Sequence, residues 1–421
     1  MKDAITKFLK KYHMDISDID VNATLERFKK EMDKGLEKVG PIRVCSIPMI
    51  PTYLNPSVRI KINEKVIVID AGGTNLRVGV AFFDGDLWHI DEVQEHKMPG
   101  LDREYSKDEF FNYIADKTIP FLDQASSIGF CFSYRCQMNE NLDGSLIAWA
   151  KEIKAKEVVG AFVGCELLKA IKKYSSVERE VVVLNDTAAV LLGGMLEDGA
   201  KECDKYIGAI YGTGFNCCYE EKVSNIKKIN KSSDALMIIN TETGNFNGFS
   251  RGIFDDELTN DSLYPDEALT EKMSSGRYLA TLIYKAFVKA KVDGLFTSDV
   301  VIPDFASFDL PLVSRYLAGS NELDKCFSKD ADKAIFKEIA FKLINRASIV
   351  VATTISAFVI KSNVKRIGII IEGSTFYKLP TFKESFEEHL KMILEKNNIS
   401  YKLFDGRNKV LLGAAIASMM K

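Results

Sequence analysis

Two segments of this chain share one design: a short buried-looking strand, a glycine turn, and a second strand that starts at once. The first reads Val66-Ile67-Val68-Ile69, then Asp70-Ala71-Gly72-Gly73-Thr74-Asn75, then an apolar stretch over 76–83. The second is an apolar stretch over 206–211, then Gly212-Thr213-Gly214, then a returning strand over 215–219. β-Branched runs of this length fit a pleated, buried surface. Two such units about 140 residues apart predict an internally duplicated architecture, with one unit in each domain. Elsewhere strands alternate with helices. Strands are predicted at 181–184, 366–371 and 400–404, and helices at 107–125, 187–196, 332–361, 380–397 and 409–420. That alternation places the chain in the α/β class. Two further helical stripes are predicted within the first 40 residues, Ile5-Phe8-Leu9-Tyr12 and Leu25-Phe28-Met32-Leu36-Val39, the second stopping at Gly40-Pro41.

Composition excludes classes and names none. At 421 residues the chain exceeds one ordinary core and predicts two domains or three. A net charge of −3 argues against a broadly nucleic-acid-coating surface. The best apolar stretch, 347–360, is interrupted by Thr353, Thr354 and Ser356, so no membrane span is predicted. The first residues lack an apolar segment between a basic start and a small-residue cleavage site, so no signal peptide is predicted and a cytoplasmic location is expected. The eight cysteines include no C-x-x-C pair and are read as buried free thiols. The four histidines are scattered, with no H-E-x-x-H, which leaves zinc chemistry poorly supported.

Glycine turns after strands can bring backbone N–H groups to phosphate. A P-loop requires a Gly-Lys dipeptide, and this chain has none. A dinucleotide fold requires G-x-G-x-x-G, but Cys217 occupies the third glycine position after Gly212 and Gly214. What remains is a pair of hairpin tips able to grip a triphosphate between two domains. A single such hairpin would read as an ordinary tight turn. Asp70 ends a buried strand, where its carboxylate can face a hydrated Mg²⁺. Asp186 likewise follows an apolar strand; taken alone it reads as a helix N-cap rather than a catalytic base, although one residue can do both.

Read together, these segments resemble the eukaryotic-type hexokinases (the hexokinase/glucokinase group), sugar kinases of the actin-like ATPase superfamily. The resemblance runs in one order from about Ile47 to the C-terminus. It is carried by Ile50-Pro51-Thr52-Tyr53, IDAGGTNLRV (69–78), GFCFSYRCQ (129–137), LDGSLIAWAK (142–151), LNDTAA (184–189), IYGTGFNCCY (210–219), INTETGNF (239–246), LTEKMSSGRYL (269–279) and IIIEGSTFYKLPTFKESF (369–386).

The resemblance implies a two-lobed actin-like ATPase (ribonuclease H-like) fold, each lobe a mixed β-sheet flanked by helices, with a cleft between. It implies a large domain from 1–57 and 187–407, and a small domain from 58–186 and 408–421. It implies transfer of the γ-phosphoryl group of ATP to the 6-hydroxyl of glucose or a related hexose, the first step of glycolysis. Asp186 would be the general base. Ser133, Lys151, Asn185, Asn216, Glu242 and Glu271 would bind the sugar. Asp70, Gly72, Gly73, Thr74, Asn75, Arg77, Thr213, Gly214, Gly373 and Ser374 would serve the nucleotide, with Asp70 serving Mg²⁺ through water. Arg77 also reads as an ordinary outward-facing strand residue. No nucleic-acid or membrane partner is expected, and monomer and homodimer both stay open.

The chain departs from the family pattern in places. Ala150-Lys151-Glu152 stands where Thr-Lys-Gly is usual, Arg135 where Pro is common, and Thr243 and Asn245 where Trp and Ala are usual. A sugar sensor that kept the fold without turnover is therefore one alternative. A filament-forming or chaperone ATPase is another, which the sugar segments disfavour.

Overall fold

The computed structural model describes residues 1–37, 45–57, 59–149 and 153–421. Val39, Gly40-Pro41 and Ala150-Lys151-Glu152 lie outside these described residues. The strands, in chain order, are β1 (Ile50–Pro51), β2 (Val66–Ala71), β3 (Asn75–Phe83), β4 (Trp88–Lys97), β5 (Ser127–Phe132), β6 (Cys136–Met138), β7 (Gly144–Leu146), β8 (Glu180–Leu184), β9 (Lys205–Tyr211), β10 (Phe215–Lys222), β11 (Leu236–Asn240), β12 (Arg366–Glu372) and β13 (Ser400–Asp405).

Two sheets carry the fold, and their wiring repeats. One runs β4-β3-β2-β5-β8 and the other β1-β11-β10-β9-β12-β13. In the first, β2 pairs antiparallel with β3 and parallel with β5, which pairs parallel with β8. In the second, β9 pairs antiparallel with β10 and parallel with β12, which pairs parallel with β13. Each predicted glycine hairpin is thus the centre of its own five-stranded unit. The expected duplication is present, and the alternating elements form mixed sheets flanked by helices.

β2 reads Val-Ile-Val-Ile-Asp-Ala and is buried along its whole length, as a central strand covered on both faces must be. β4 escaped the sequence reading. Its WHIDEVQEHK has no apolar alternation because it is an exposed edge strand. The register against β3 slips between Val78 and Val80, and Glu92 takes a positive φ there.

The large-lobe core wraps the helix Asp330–Ser362, whose middle residues Val350, Val351, Ala352 and Ile355 are fully buried. Each valine or isoleucine buried this way contributes about 1.5–3 kcal/mol. By length and composition this helix could cross a membrane, contrary to the expectation from its interrupting hydroxyls, yet 89% of its most apolar stretch is buried inside the protein. Thr354 returns its hydroxyl to the Val350 carbonyl, which removes the cost of burying it.

Two helices cross between the sheets. The helix Asp186–Gly194 follows β8 of the first sheet but packs on β9, β10 and β12 of the second. The helix Val410–Ser418 follows β13 of the second sheet but packs on β2, β5 and β8 of the first. They meet through small residues. A Cβ on Gly413 would overlap the Ala189 carbonyl, and one on Gly193 would overlap that of Lys409. Together with Val66, Val68, Leu184 and Ile370 they form a separate core under the junction of the two sheets.

All eight cysteines are free, as expected. Their burial is not uniform: Cys165 is exposed and Cys203 half-buried, because Cys165 lies on the outer side of the helix Val163–Ile171.

Candidate active site

The first glycine hairpin closes tightly, with the Gly72 amide donating to the Asn75 carbonyl at 3.0 Å. Behind it, Asp70 sits opposite Arg77 in the β2–β3 register and is nearly buried. Arg77 Nη1 lies 3.7 Å from Asp70 Oδ2, and Arg77 Nε donates to Glu95 Oε2 at 2.8 Å. Asn75 Nδ2 donates to the other Glu95 oxygen at 3.0 Å. Thus β4 holds two of the nucleotide candidates, Asn75 and Arg77, through one carboxylate. The loop after β5 locks onto this turn. Ser133 donates its amide to the Ala71 carbonyl at 3.2 Å, and the Tyr134 hydroxyl donates to the Gly72 carbonyl at 2.7 Å. Gly73 and Thr74 complete the tip, where the Thr74 carbonyl accepts from Met98 at 2.9 Å.

The second hairpin is closed by Gly212 N–H to Gly214 O at 3.0 Å. Its outward carbonyls are capped by a helix start: Gly276 donates to Gly212 at 2.9 Å and Arg277 to Thr213 at 3.2 Å. Gly373 has φ +130, and any Cβ there would strike the Tyr211 carbonyl. Only glycine fits this position. The structure therefore brings Thr213, Gly214, Gly373 and Ser374 to the C-terminal ends of neighbouring parallel strands β9 and β12.

Between the hairpins lies a carboxylate that sequence reasoning missed. Glu372 ends β12, and its carboxyl is pushed up to about 7, chiefly by burial and then by the charges of Asp186 and Asp70, with Arg77 opposing. Glu372, Asp186, Asp70 and Arg77 therefore share one electrostatic neighbourhood. The signal was available: a carboxylate closing an apolar strand, the pattern that singled out Asp70 and Asp186. This neighbourhood fits Mg²⁺. No described group of three His, Cys, Asp or Glu side chains forms a metal cage. A nucleotide-borne Mg²⁺ keeps its waters and needs only one or two carboxylates, such as Asp70.

Asp186 is the first residue of its helix, and the cap is Asn185. Asn185 Oδ1 accepts from the Thr187 amide at 3.0 Å and from the Thr187 hydroxyl at 2.7 Å. The capping role weighed for Asp186 thus belongs to its neighbour, although Asp186 Oδ1 also accepts from the Thr187 amide at 2.9 Å. The reason is geometric. The residue leaving an extended strand has β dihedrals, as a cap requires, and that residue is Asn185 (φ −78, ψ 156).

The remaining candidates form a polar chain. Asn216 Nδ2 donates to Asn240 Oδ1 at 2.9 Å, and Asn240 Nδ2 donates to Glu242 Oε1 at 2.9 Å. Glu271 Oε2 accepts from the Phe215 amide at 3.0 Å. Asn240 was not anticipated; it is a buried link with no local pattern of its own. Glu242 takes φ +55, an unusual conformation for a non-glycine residue. Burial raises its carboxyl pKa, the Arg135 charge opposes that, and Asp186 adds to it. The departure at Asn245 has a structural role: its side chain donates to the Glu242 carbonyl at 3.3 Å and accepts from the Ala268 amide at 3.0 Å. It stitches the Glu242 segment to the start of the Glu271 helix, Leu269–Ser274. Asn185 and Asn240 line a small cavity together with Thr52, Phe132 and Tyr134, between the two sheets. Lys151 lies outside the described residues.

Comparison with known proteins fits this arrangement. One family model described as hexokinase matches residues 206–420, and a second matches 4–196. The chain belongs to the hexokinase family. Hexokinase HKDC1 of Mus musculus is 33% identical over 308 residues, 69% of this chain and 33% of that relative. Hexokinase-1 of Homo sapiens is 28% identical over 433 residues, 95% of this chain and 46% of that relative. The chain thus spans about half or less of the length of these curated hexokinases. Among solved structures, a hexokinase from Schistosoma mansoni complexed with glucose superposes with a TM-score of 0.83 at 24% identity, covering 100% of this chain and 99% of that one. The ROK hexokinase from Thermus thermophilus gives 0.51 at 16% identity, covering 84% and 97%. The fold is the two-lobed, actin-like sugar-kinase fold that the sequence resemblance implied.

Proposed function

We propose that this hexokinase-family chain transfers the γ-phosphoryl group of ATP to the 6-hydroxyl of glucose or a related hexose, the first step of glycolysis, in the cytoplasm. The supporting observation is the convergence of two glycine hairpins, Asp186 and the Asn216–Asn240–Glu242 chain on one cleft.

A hexose presents hydroxyls that both donate and accept, so its site needs fixed partners of both kinds. Glu242 and Glu271 accept; Asn185 and Asn216 supply amides; Ser133 and Lys151 complete the set. Asn185 Oδ1 is committed to Thr187, which leaves its amide nitrogen for sugar. Asp186 accepts the 6-hydroxyl proton as that oxygen attacks the γ-phosphorus and the bond to the β-phosphate oxygen breaks, leaving ADP. The hairpin tips at Gly73-Thr74 and Thr213-Gly214 offer backbone donors to the phosphates, and Arg77 and Thr213 add side-chain donors. Gly373 and Ser374 admit the adenosine. Mg²⁺, when bound with the nucleotide near Asp70, supplies charge neutralisation on the phosphates.

The lobes of the proposal are 1–57 with 187–407 and 58–186 with 408–421, pivoting on the two crossing helices. Closure on sugar keeps water, the smaller competing nucleophile, from the γ-phosphate. The test is ADP release with glucose, mannose, fructose and glucosamine, for wild type and Asp186→Ala. Turnover that falls by about 10²–10⁴ in the variant, with hexose binding intact, supports the reading. Hexose binding without turnover in wild type makes the chain a sensor instead.

A further inference from the structure

One side chain, that of Tyr134, touches the first glycine hairpin and the 142–151 segment at once. It sits in the short loop after β5, whose backbone is held from two directions. Ser133 donates its amide to the Ala71 carbonyl at 3.2 Å, and the Arg135 carbonyl accepts from the Ile147 amide at 2.9 Å. The side chain repeats that link. Its hydroxyl donates to the Gly72 carbonyl at 2.7 Å. Its ring meets Trp149 edge-on, with centroids 4.7 Å apart. Trp149 belongs to the segment that would supply Lys151. The ring also lines the small cavity together with Asn185 and Asn240. Tyr134 is 2% exposed, and away from water its hydrogen bond is electrostatically stronger.

The Gly72 carbonyl is part of the peptide between Gly72 and Gly73, which is trans. A trans peptide is planar, so its N–H points opposite to its C=O. Holding the carbonyl therefore sets the direction of the Gly73 N–H, one of the amides offered to phosphate. Between two glycines no Cβ restrains the rotation of this peptide, so the Tyr134 hydroxyl supplies a restraint that sterics do not.

We propose that Tyr134 is a positioning residue that couples the two substrates: its hydroxyl fixes the Gly72–Gly73 peptide for the phosphates, and its ring ties that peptide to the segments that take the hexose. The inference rests on the hexokinase reading of the cleft and deepens it. Sugar held by Ser133 and the 142–151 segment stills the loop that carries Tyr134, and that loop stills the hairpin. The nucleotide then meets a preset amide and loses less freedom on binding. By linkage, the nucleotide tightens the hexose by the same factor.

The experiment compares wild type with Tyr134→Phe, which keeps the ring and removes only the hydroxyl. Titration calorimetry gives the Kd of the β,γ-imido analogue of ATP with Mg²⁺, without and with saturating glucose, and that of glucose alone. In wild type glucose should tighten the analogue. In Tyr134→Phe that ratio of Kd values should shrink about three- to tenfold, while the Kd of glucose alone stays within about twofold. A wild-type ratio of one, an unchanged ratio in the variant, or weakening by one factor with and without glucose overturns the inference. A merely structural hydroxyl would lower the melting temperature and leave the ratio alone. ADP release separates the two readings. No turnover in wild type, with a ratio that shrinks in the variant, defeats the kinase reading and upholds this one. Glucose turnover with an unchanged ratio does the reverse.

Discussion

Asn185 and Thr187 are joined twice: one amide oxygen accepts both the backbone N–H and the hydroxyl of Thr187, at 3.0 and 2.7 Å. The pair starts the helix and leaves Asp186 at its first position, at the positive end of the helix dipole. It also divides Asn185 into an oxygen held by Thr187 and an amide nitrogen that the proposed hexokinase reading gives to the sugar. Asn185→Ser keeps a capping oxygen, whereas Asn185→Ala keeps neither. Serine should hold thermal stability near wild type while raising the KM for glucose about tenfold; alanine should also lose about 1 kcal/mol of stability. Melting curves beside sugar kinetics check this, and equal stability of both variants would contradict it.

Gly413 packs so tightly against Ala189 of the other crossing helix that a Cβ there would overlap the Ala189 carbonyl. Gly413→Val places a Cβ carrying two methyl groups where a carbonyl oxygen stands. The expected cost is 1–3 kcal/mol or more, through a forced separation of the helices. Urea denaturation measures it, and a cost below about 0.5 kcal/mol would show that the junction is looser than this packing.

Arg346 and Asp255 form a fully buried pair, each about 1% exposed, and Asp255 also accepts from the Gly252 amide at 2.8 Å. Arg346→Met strands that carboxylate in the large-lobe core and should cost about 3–5 kcal/mol. Adding Asp255→Asn removes the uncompensated charge and should recover part of the loss, by the same denaturation measurement.

Glu220 is buried beneath the second sheet and accepts from the Tyr206 amide at 2.6 Å. Burial pushes its carboxyl up to about 7 from the ordinary 4.5, with that hydrogen bond and Lys205 opposing. The folded state therefore holds the proton more tightly than the unfolded state. The associated stability is full below pH about 4.5 and is lost as pH rises through about 7, up to about 3 kcal/mol. Glu220→Gln should flatten that slope, making the variant the more stable protein at pH 8 but not at pH 5. Parallel stability–pH curves would rule this out.

If the two lobes pivot on the crossing helices, saturating glucose should lower the radius of gyration. Small-angle scattering with and without sugar tests this, and identical curves would count against closure.

Local pattern carried a good deal of this structure. The β-branched run 66–69 and the glycines after it could only be a strand entering a tight turn, and the recurrence at 206–214 revealed the duplication. Other features were silent for physical reasons. β4 lies at an exposed edge, so its side chains obey no burial rule and print no alternation. Asn240 is an ordinary asparagine until Asn216 and Glu242 arrive on either side of it.

The same division runs through the cleft. The chain alone established two strand–glycine–strand turns, a carboxylate after a buried strand and membership in an α/β class, because backbone sterics and strand burial act over a few residues. Packing assigned the rest. It gave the helix cap to Asn185 rather than Asp186, set Glu95 against Asn75 and Arg77, and placed Glu372 and Arg135 in the field of the catalytic candidates. Those relationships join residues up to about 300 positions apart in sequence. They exist only once two duplicated sheets have been brought together across a junction of small residues.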